Sequence, residues 1–141
     1  MHTKQNLFLI LTICITIILS GCTTPISKVI IPANFQETAR PIAENLITGI
    51  DKQDYALFTR AFDDNMLKAL PSIAMTELHK LLWNQNGNYQ SLDIKKVFEE
   101  KGYIIAIYNL VFEKGNLDMQ LVFTPKPPFN ISGLWFPPKL I

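Results

Sequence analysis

Three kinds of side chain in this sequence could do chemistry: the thiols of Cys14 and Cys22, the adjacent carboxylates Asp63 and Asp64, and the imidazole of His79. A thiol can serve as a nucleophile, a metal ligand or a point of attachment. Cys22 sits directly after the small pair Ser20-Gly21, at the end of an apolar run. Two carboxylates share a proton or a metal only when they face each other. Neighbours on a helix point about 100° apart, so Asp63 and Asp64 are expected to cap the next helical turn. His79, between Leu78 and Lys80, is expected at a solvated helix edge. Catalysis by any such group requires it within hydrogen-bond reach of a substrate proton. Neither Gly-x-Ser-x-Gly nor Ser-x-x-Lys occurs, and no glycine-rich loop is present to cradle a phosphate.

The setting of Cys22 decides its use. Residues 1–6 are polar and carry Lys4, and Leu7 to Leu19 is almost wholly Leu, Ile, Phe and Thr. Thirteen residues as a helix reach about 20 Å, short of the roughly 30 Å hydrocarbon core. A cleaved leader fits better than a membrane span. The tetrad Leu19-Ser20-Gly21-Cys22 resembles the lipobox of bacterial lipoproteins. That resemblance implies a diacylglyceryl group on the Cys22 thiol, cleavage just before it, and a mature protein held extracytoplasmically on the cell membrane. One acyl chain binds a bilayer only marginally, whereas two hold it stably.

The expected organisation is therefore a signal peptide over 1–21, a tether over 22–33 and a single domain over 34–141. With Cys14 lost and Cys22 acylated, the domain has no thiol for a disulfide, a zinc site or a nucleophile. With His2 also removed, His79 is the one imidazole left, so no cofactor or multi-histidine metal site is expected. The full chain carries 13 basic and 12 acidic side chains, a balance that offers no footprint for nucleic acid. The tether holds two prolines and reads as a spacer, although Val29-Ile30-Ile31 is apolar enough to lie on the domain or form a short edge strand.

The elements that position these groups follow from periodicity. Phe35, Ala39, Ile42, Ala43, Leu46, Ile47 and Ile50 recur at helical spacing, with Asn34 and Glu37 as a capping-box pair and Gly49 near the end. Pro41 is expected either to kink this helix or to move its start toward Thr38. A helix of two turns follows Asp54, with Tyr55, Phe58, Ala61 and Phe62 on one side. A third enters near Pro71-Ser72, buries Leu78, Leu81 and Leu82, and stops at Asn86-Gly87. Thereafter the period becomes two, in strands over 89–98, 103–112, 117–124 and 130–136. The third strand alternates, with Leu117, Met119, Leu121 and Phe123 on its core face. The second is apolar on both faces, so its far face needs a cover: a loop, the tether or another subunit. The fold class is α+β, with N-terminal helices packed on a curved four-stranded antiparallel meander.

Spread over residues 39–137, the Asp54-Tyr55 step, the segment "FDDNM" from Phe62 to Met66, Trp83, Gly87 and "ISGLWF" from Ile131 to Phe136 resemble the domain-of-unknown-function 3887 family. The resemblance implies a nuclear transport factor 2-like cone, often dimeric through its sheet and found alone or beside hydrolases. In such cones the ligand cavity lies between sheet and helices, where Phe62, Trp83, Tyr108, Phe123 and Trp135 are the candidate lining. It also raises the Asp63–His79 pair for a small hydrolase or isomerase. The reading favoured is a membrane-tethered, non-catalytic domain that binds a small apolar ligand or meets a second subunit or envelope protein through the sheet face. A structural accessory of the envelope is the other alternative.

Overall fold

The computed structural model describes residues 29–138. The expected leader, Cys22 and the first part of the tether lie outside the described residues. At the end of the tether, Val29 and Ile31 pack against the core while Ile30 between them is 87% exposed. That part of the expected spacer lies on the domain, and it forms no strand.

Helix α1 spans Phe35–Asp51 and buries Phe35, Ala39, Ala43, Leu46, Ile47 and Ile50, the apolar stripe of an amphipathic helix. Asn34 is its N-cap, but the expected capping box is not made. The Asn34 side chain forms no cap bond; the Asn34 backbone carbonyl accepts from the Glu37 N–H at 3.1 Å. Pro41 lies within the helix, which begins well before Thr38. A Cβ on Gly49 would fall 2.4 Å from the Phe58 nitrogen, so glycine is what lets the following segment pass this close.

Helix α2, Tyr55–Phe58, is capped by Asp54, whose Oδ1 accepts from the Leu57 N–H at 3.0 Å. It makes one turn, not the two expected. The chain leaves the helix because Ala61–Asp63 bonds to a strand: Ile131 N–H donates to Ala61 O at 2.7 Å, and Asp63 N–H donates to Ile131 O at 3.0 Å. A further helix, α3, then runs over Asp64–Ala69.

Helix α4, Ser72–Asn86, starts after Pro71 and ends at Gly87, which takes φ 76° and donates its N–H to Trp83 O at 2.8 Å. Leu82 and Met75 are buried, Leu78 is half-buried, and Leu81 is 55% exposed. The expected burial of Leu81 is thus corrected. It sits about 100° around the helix from Leu82, which turns it off the core.

The strands are β1 Tyr89–Glu100, β2 Tyr103–Phe112, β3 Gly115–Phe123 and β4 Ile131–Trp135. They form one antiparallel sheet in the order β1-β2-β3-β4. Helices followed by a meander make the domain α+β. Ile104, Ala106, Tyr108 and Leu110 of β2 join Met119, Leu121 and Phe123 of β3 and the α1 stripe in one core. Phe35 meets Phe123 and Phe129 edge-on, with ring centroids 5.4 and 5.2 Å apart. On the far face Ile105 is buried, and Ile107, Val111 and Val122 are half-buried. Lys96 lies 4.8 Å over the Phe98 ring, and Lys95 pairs with Asp118 at 2.7 Å.

Candidate binding cleft at the sheet edge

β4 is an edge strand, and it begins covered. Beside Ile131 the Ala61–Asp63 backbone forms a short parallel bridge. Asp63 fixes this join from both sides. Its Oδ1 accepts from the Asn65 and Met66 N–H groups at 3.0 and 2.9 Å, capping α3, and its Oδ2 accepts from the Ser132 hydroxyl at 2.6 Å. Those bonds, the Ser132 one foremost, hold its carboxyl below the usual carboxylate range.

Beyond Ser132 the edge opens. Leu70, Ala74 and Leu78 on one side, and Leu134, Trp135 and Phe136 on the other, line an open cleft of about 300 Å³. Consecutive strand residues point to opposite faces, yet Leu134, Trp135 and Phe136 all line this cleft. It therefore lies around the strand's edge and not on one face of the sheet. Phe136 also borders a second cleft of about 260 Å³, formed with Leu81, Leu82, Leu117, Pro137 and Pro138 among others. No residue lining either cleft is titratable. The site can bury an apolar group; its walls carry no acid, base or nucleophile.

The candidate lining residues scatter. Phe62, Tyr108 and Phe123 are core side chains: Phe62 packs on Phe58 at 4.9 Å, and Tyr108 and Phe123 are fully buried. Burial pushes the Tyr108 hydroxyl pKa upward, and that hydroxyl has no hydrogen-bond partner among the described residues. Trp83 is half-buried, edge-on to Phe112 at 5.3 Å, and its Nε1–H donates to Asp51 Oδ1 at 2.7 Å. Trp135 alone of the five borders the cleft, 59% exposed. His79 stacks on Trp83 at 4.8 Å, while Asp63 spends both oxygens on α3 and β4. Neither lines a cleft, and no hydrogen bond or ion pair joins the two. Among the described residues no three His, Cys, Asp or Glu side chains gather as a metal site, and no helix is long and apolar enough to cross a membrane. Cys22 lies outside the described residues.

Sequence reasoning missed Leu70, Ala74, Leu134 and Phe136, and placed Leu78 in the core. The one signal was the run Leu134-Trp135-Phe136, three apolar residues where a half-buried strand would alternate.

Residues 43–127 match the family described as "Protein of unknown function (DUF3887)". The chain belongs to this family. The matched span contains the helical wall of the cleft and stops before β4, which supplies the other wall. No curated protein matches the chain.

Proposed function

We propose that this DUF3887 protein is a lipid-anchored extracytoplasmic binding module that offers the β4 cleft to an apolar group of its ligand or partner. The observation that carries the reading is the contrast between a filled interior and an open, uncharged, apolar cleft rimmed by an exposed tryptophan. If the fold is a nuclear transport factor 2-like cone, its central cavity is occupied by Tyr108, Phe123 and their neighbours, and binding moves to the rim. Catalysis by Asp63 and His79 is disfavoured, because the carboxylate is committed to a helix cap and the imidazole to a stacking contact.

The anchor rests on the Leu19-Ser20-Gly21-Cys22 pattern. Val29 is packed on the domain, and the seven-residue step from Cys22 to Val29 spans at most about 25 Å. A diacylated Cys22 would thus hold the domain close to the bilayer surface.

Two measurements test the proposal. Mass spectrometry of the membrane fraction should find the mature N-terminus at an acylated Cys22, and a Cys22→Ala protein that stays equally membrane-bound would sink the anchor. The dye 1-anilinonaphthalene-8-sulfonate, titrated onto the purified protein, should receive energy from Trp135 and lose its binding in Ala74→Trp, where the new ring fills the cleft. Undiminished dye binding in that variant would remove the cleft from the reading.

A further inference from the structure

The two walls of the first cleft are held in different ways. Leu134 and Trp135 belong to β4, which is fixed by its pairing with β3: Leu134 stands opposite Leu121 and Trp135 opposite Gln120. The facing wall has no sheet behind it. Ala74 and Leu78 lie in the first two turns of α4, and Leu70, which leads into them, is the C-cap of α3. Among the described residues no backbone hydrogen bond passes directly from one wall to the other, so their separation is set by what joins them outside the cleft.

Helix α3 is that join, and it is weakly held by packing. It has six residues, of which Met66 is the buried one, and helices far shorter than about 12 residues do not stand on their own in water. Side chains fasten it at both ends. At its far end the Tyr55 hydroxyl donates to Leu70 O at 3.0 Å. At its start Asp63 Oδ1 accepts from the Asn65 and Met66 N–H groups, and Oδ2 accepts from the Ser132 hydroxyl. Ser132 and Leu134, two residues apart on β4, point to the same face, so the Asp63 carboxylate grips the strand on the face that Leu134 turns toward the cleft. The other caps do less. Asp54 accepts from the Leu57 N–H, and the caps before α1 and α4 make no side-chain cap bond. Among the described helices, α3 alone has a cap whose side chain also bonds to a strand.

We infer that Asp63 is the positioning residue of the cleft: through Ser132 it sets the distance between Leu70 and Leu134, and with it the affinity of the cleft for an apolar group, without touching what binds there. The inference rests on the cleft-binding reading above and assigns the residue that tunes it.

Ser132→Ala isolates this role, because it removes the tie to β4 and leaves the Asp63 cap of α3 in place. Titrated with 1-anilinonaphthalene-8-sulfonate, the purified full-length Ser132→Ala protein should bind the dye about fivefold more weakly than wild type, the equivalent of one hydrogen bond. Ser132→Thr keeps the hydroxyl and should bind as wild type does. Ile47→Val thins the α1 side of the core, away from the cleft; it should lower the melting temperature by at least as much as Ser132→Ala and leave dye affinity unchanged. If Ser132→Ala binds the dye as wild type does while Ala74→Trp abolishes binding, the cleft stands and the positioning role is overturned. Equal weakening in Ser132→Ala and Ile47→Val overturns it as well, since a general loosening then accounts for both, and so does a Ser132→Thr protein as weak as Ser132→Ala. Dye binding undiminished in Ala74→Trp removes the cleft reading itself, and this inference falls with it.

Discussion

Helix α1 and helix α4 both lie against the same core, and they make opposite kinds of contact with the sheet side of the domain. α1 presents Ala39, Ala43 and Gly49 between its large residues. Gly49 lets its backbone pass close to Phe58 of α2, and Phe35, Leu46, Ile47 and Ile50 fill the core beneath it, so that every one of them is at most 1% exposed. α4 turns Met75 and Leu82 inward but faces β4 with Ala74 and Leu78 across a gap. The difference lies less in hydrophobicity than in placement. α4 is pinned at its C-terminal end by the Trp83–Asp51 bond and the Gly87 stop, while β4 is pinned at its start by Asp63. The two elements are each held by something else, and the space between them is left unfilled.

If that contrast is right, truncating a side chain costs far more beneath α1 than at the cleft. Phe35→Ala removes a ring that touches both Phe123 and Phe129, and about 3–5 kcal/mol of unfolding free energy should go with it. Leu78→Ala, at a half-buried position already bordering open space, should cost less than about 1.5 kcal/mol. Urea denaturation of both variants reads the difference directly. Equal losses would mean the cleft closes in solution and the two halves are alike.

Close approach gives the next test. Any Cβ at Gly49 meets the Phe58 backbone at 2.4 to 2.6 Å, and backbone atoms cannot swing aside as a side chain can. Gly49→Ala should cost about 1–3 kcal/mol through overpacking, even though alanine is the better helix former. A thermal melt that stays at or above wild type would show that α1 and α2 can separate without loss, and the account of the filled half would fail.

On the open side the join between β4 and α3 depends on Asp63. Asp63→Ala removes a helix cap, worth about 1 kcal/mol, together with the Ser132 bond, worth about as much again. The pH dependence follows from its sign. The carboxyl is held below its ordinary value of 3.8 in the fold, so its contribution is fully present above the unfolded pKa and is lost as pH falls through the folded one. Wild type should therefore lose stability on acidification below about pH 4, and Asp63→Asn should flatten that part of the acid limb. An unchanged limb would mean Asp63 is not bonded in this way.

How much of this was legible in the chain depends on the range over which each feature is determined. β2 falls over the expected 103–112 because ten consecutive residues carry the pattern, and α4 stops at Gly87 because a single glycine does. α2 fell short because its length is set by Ile131, remote in sequence, whose hydrogen bonds draw Ala61–Asp63 out of the helix. The cleft was missed for the same reason. Leu78 and Leu134 are each ordinary apolar residues in an ordinary element, and only the placement of α4 against β4 turns them into facing walls. Phe62, Tyr108 and Phe123 show the converse: aromatic bulk suggested a cavity lining, and the same bulk fills the core.

Tyr108 makes the smallest prediction and the one of opposite sign. It is 0% exposed, in the half of the domain with the tightest packing, and its hydroxyl has no partner among the described residues. Arg40 and Glu44 influence it electrostatically, but neither is bonded to it; Arg40 donates to Glu44 and to Leu92 instead. A buried hydroxyl without a partner carries a desolvation cost of about 1–3 kcal/mol, whereas phenylalanine keeps the ring and removes the polar atom. Tyr108→Phe should therefore raise stability by about 1 kcal/mol, a few degrees in a domain of this size. A fall of similar size would show that the hydroxyl is bonded in solution, and that the filled half holds a polar contact its packing does not reveal.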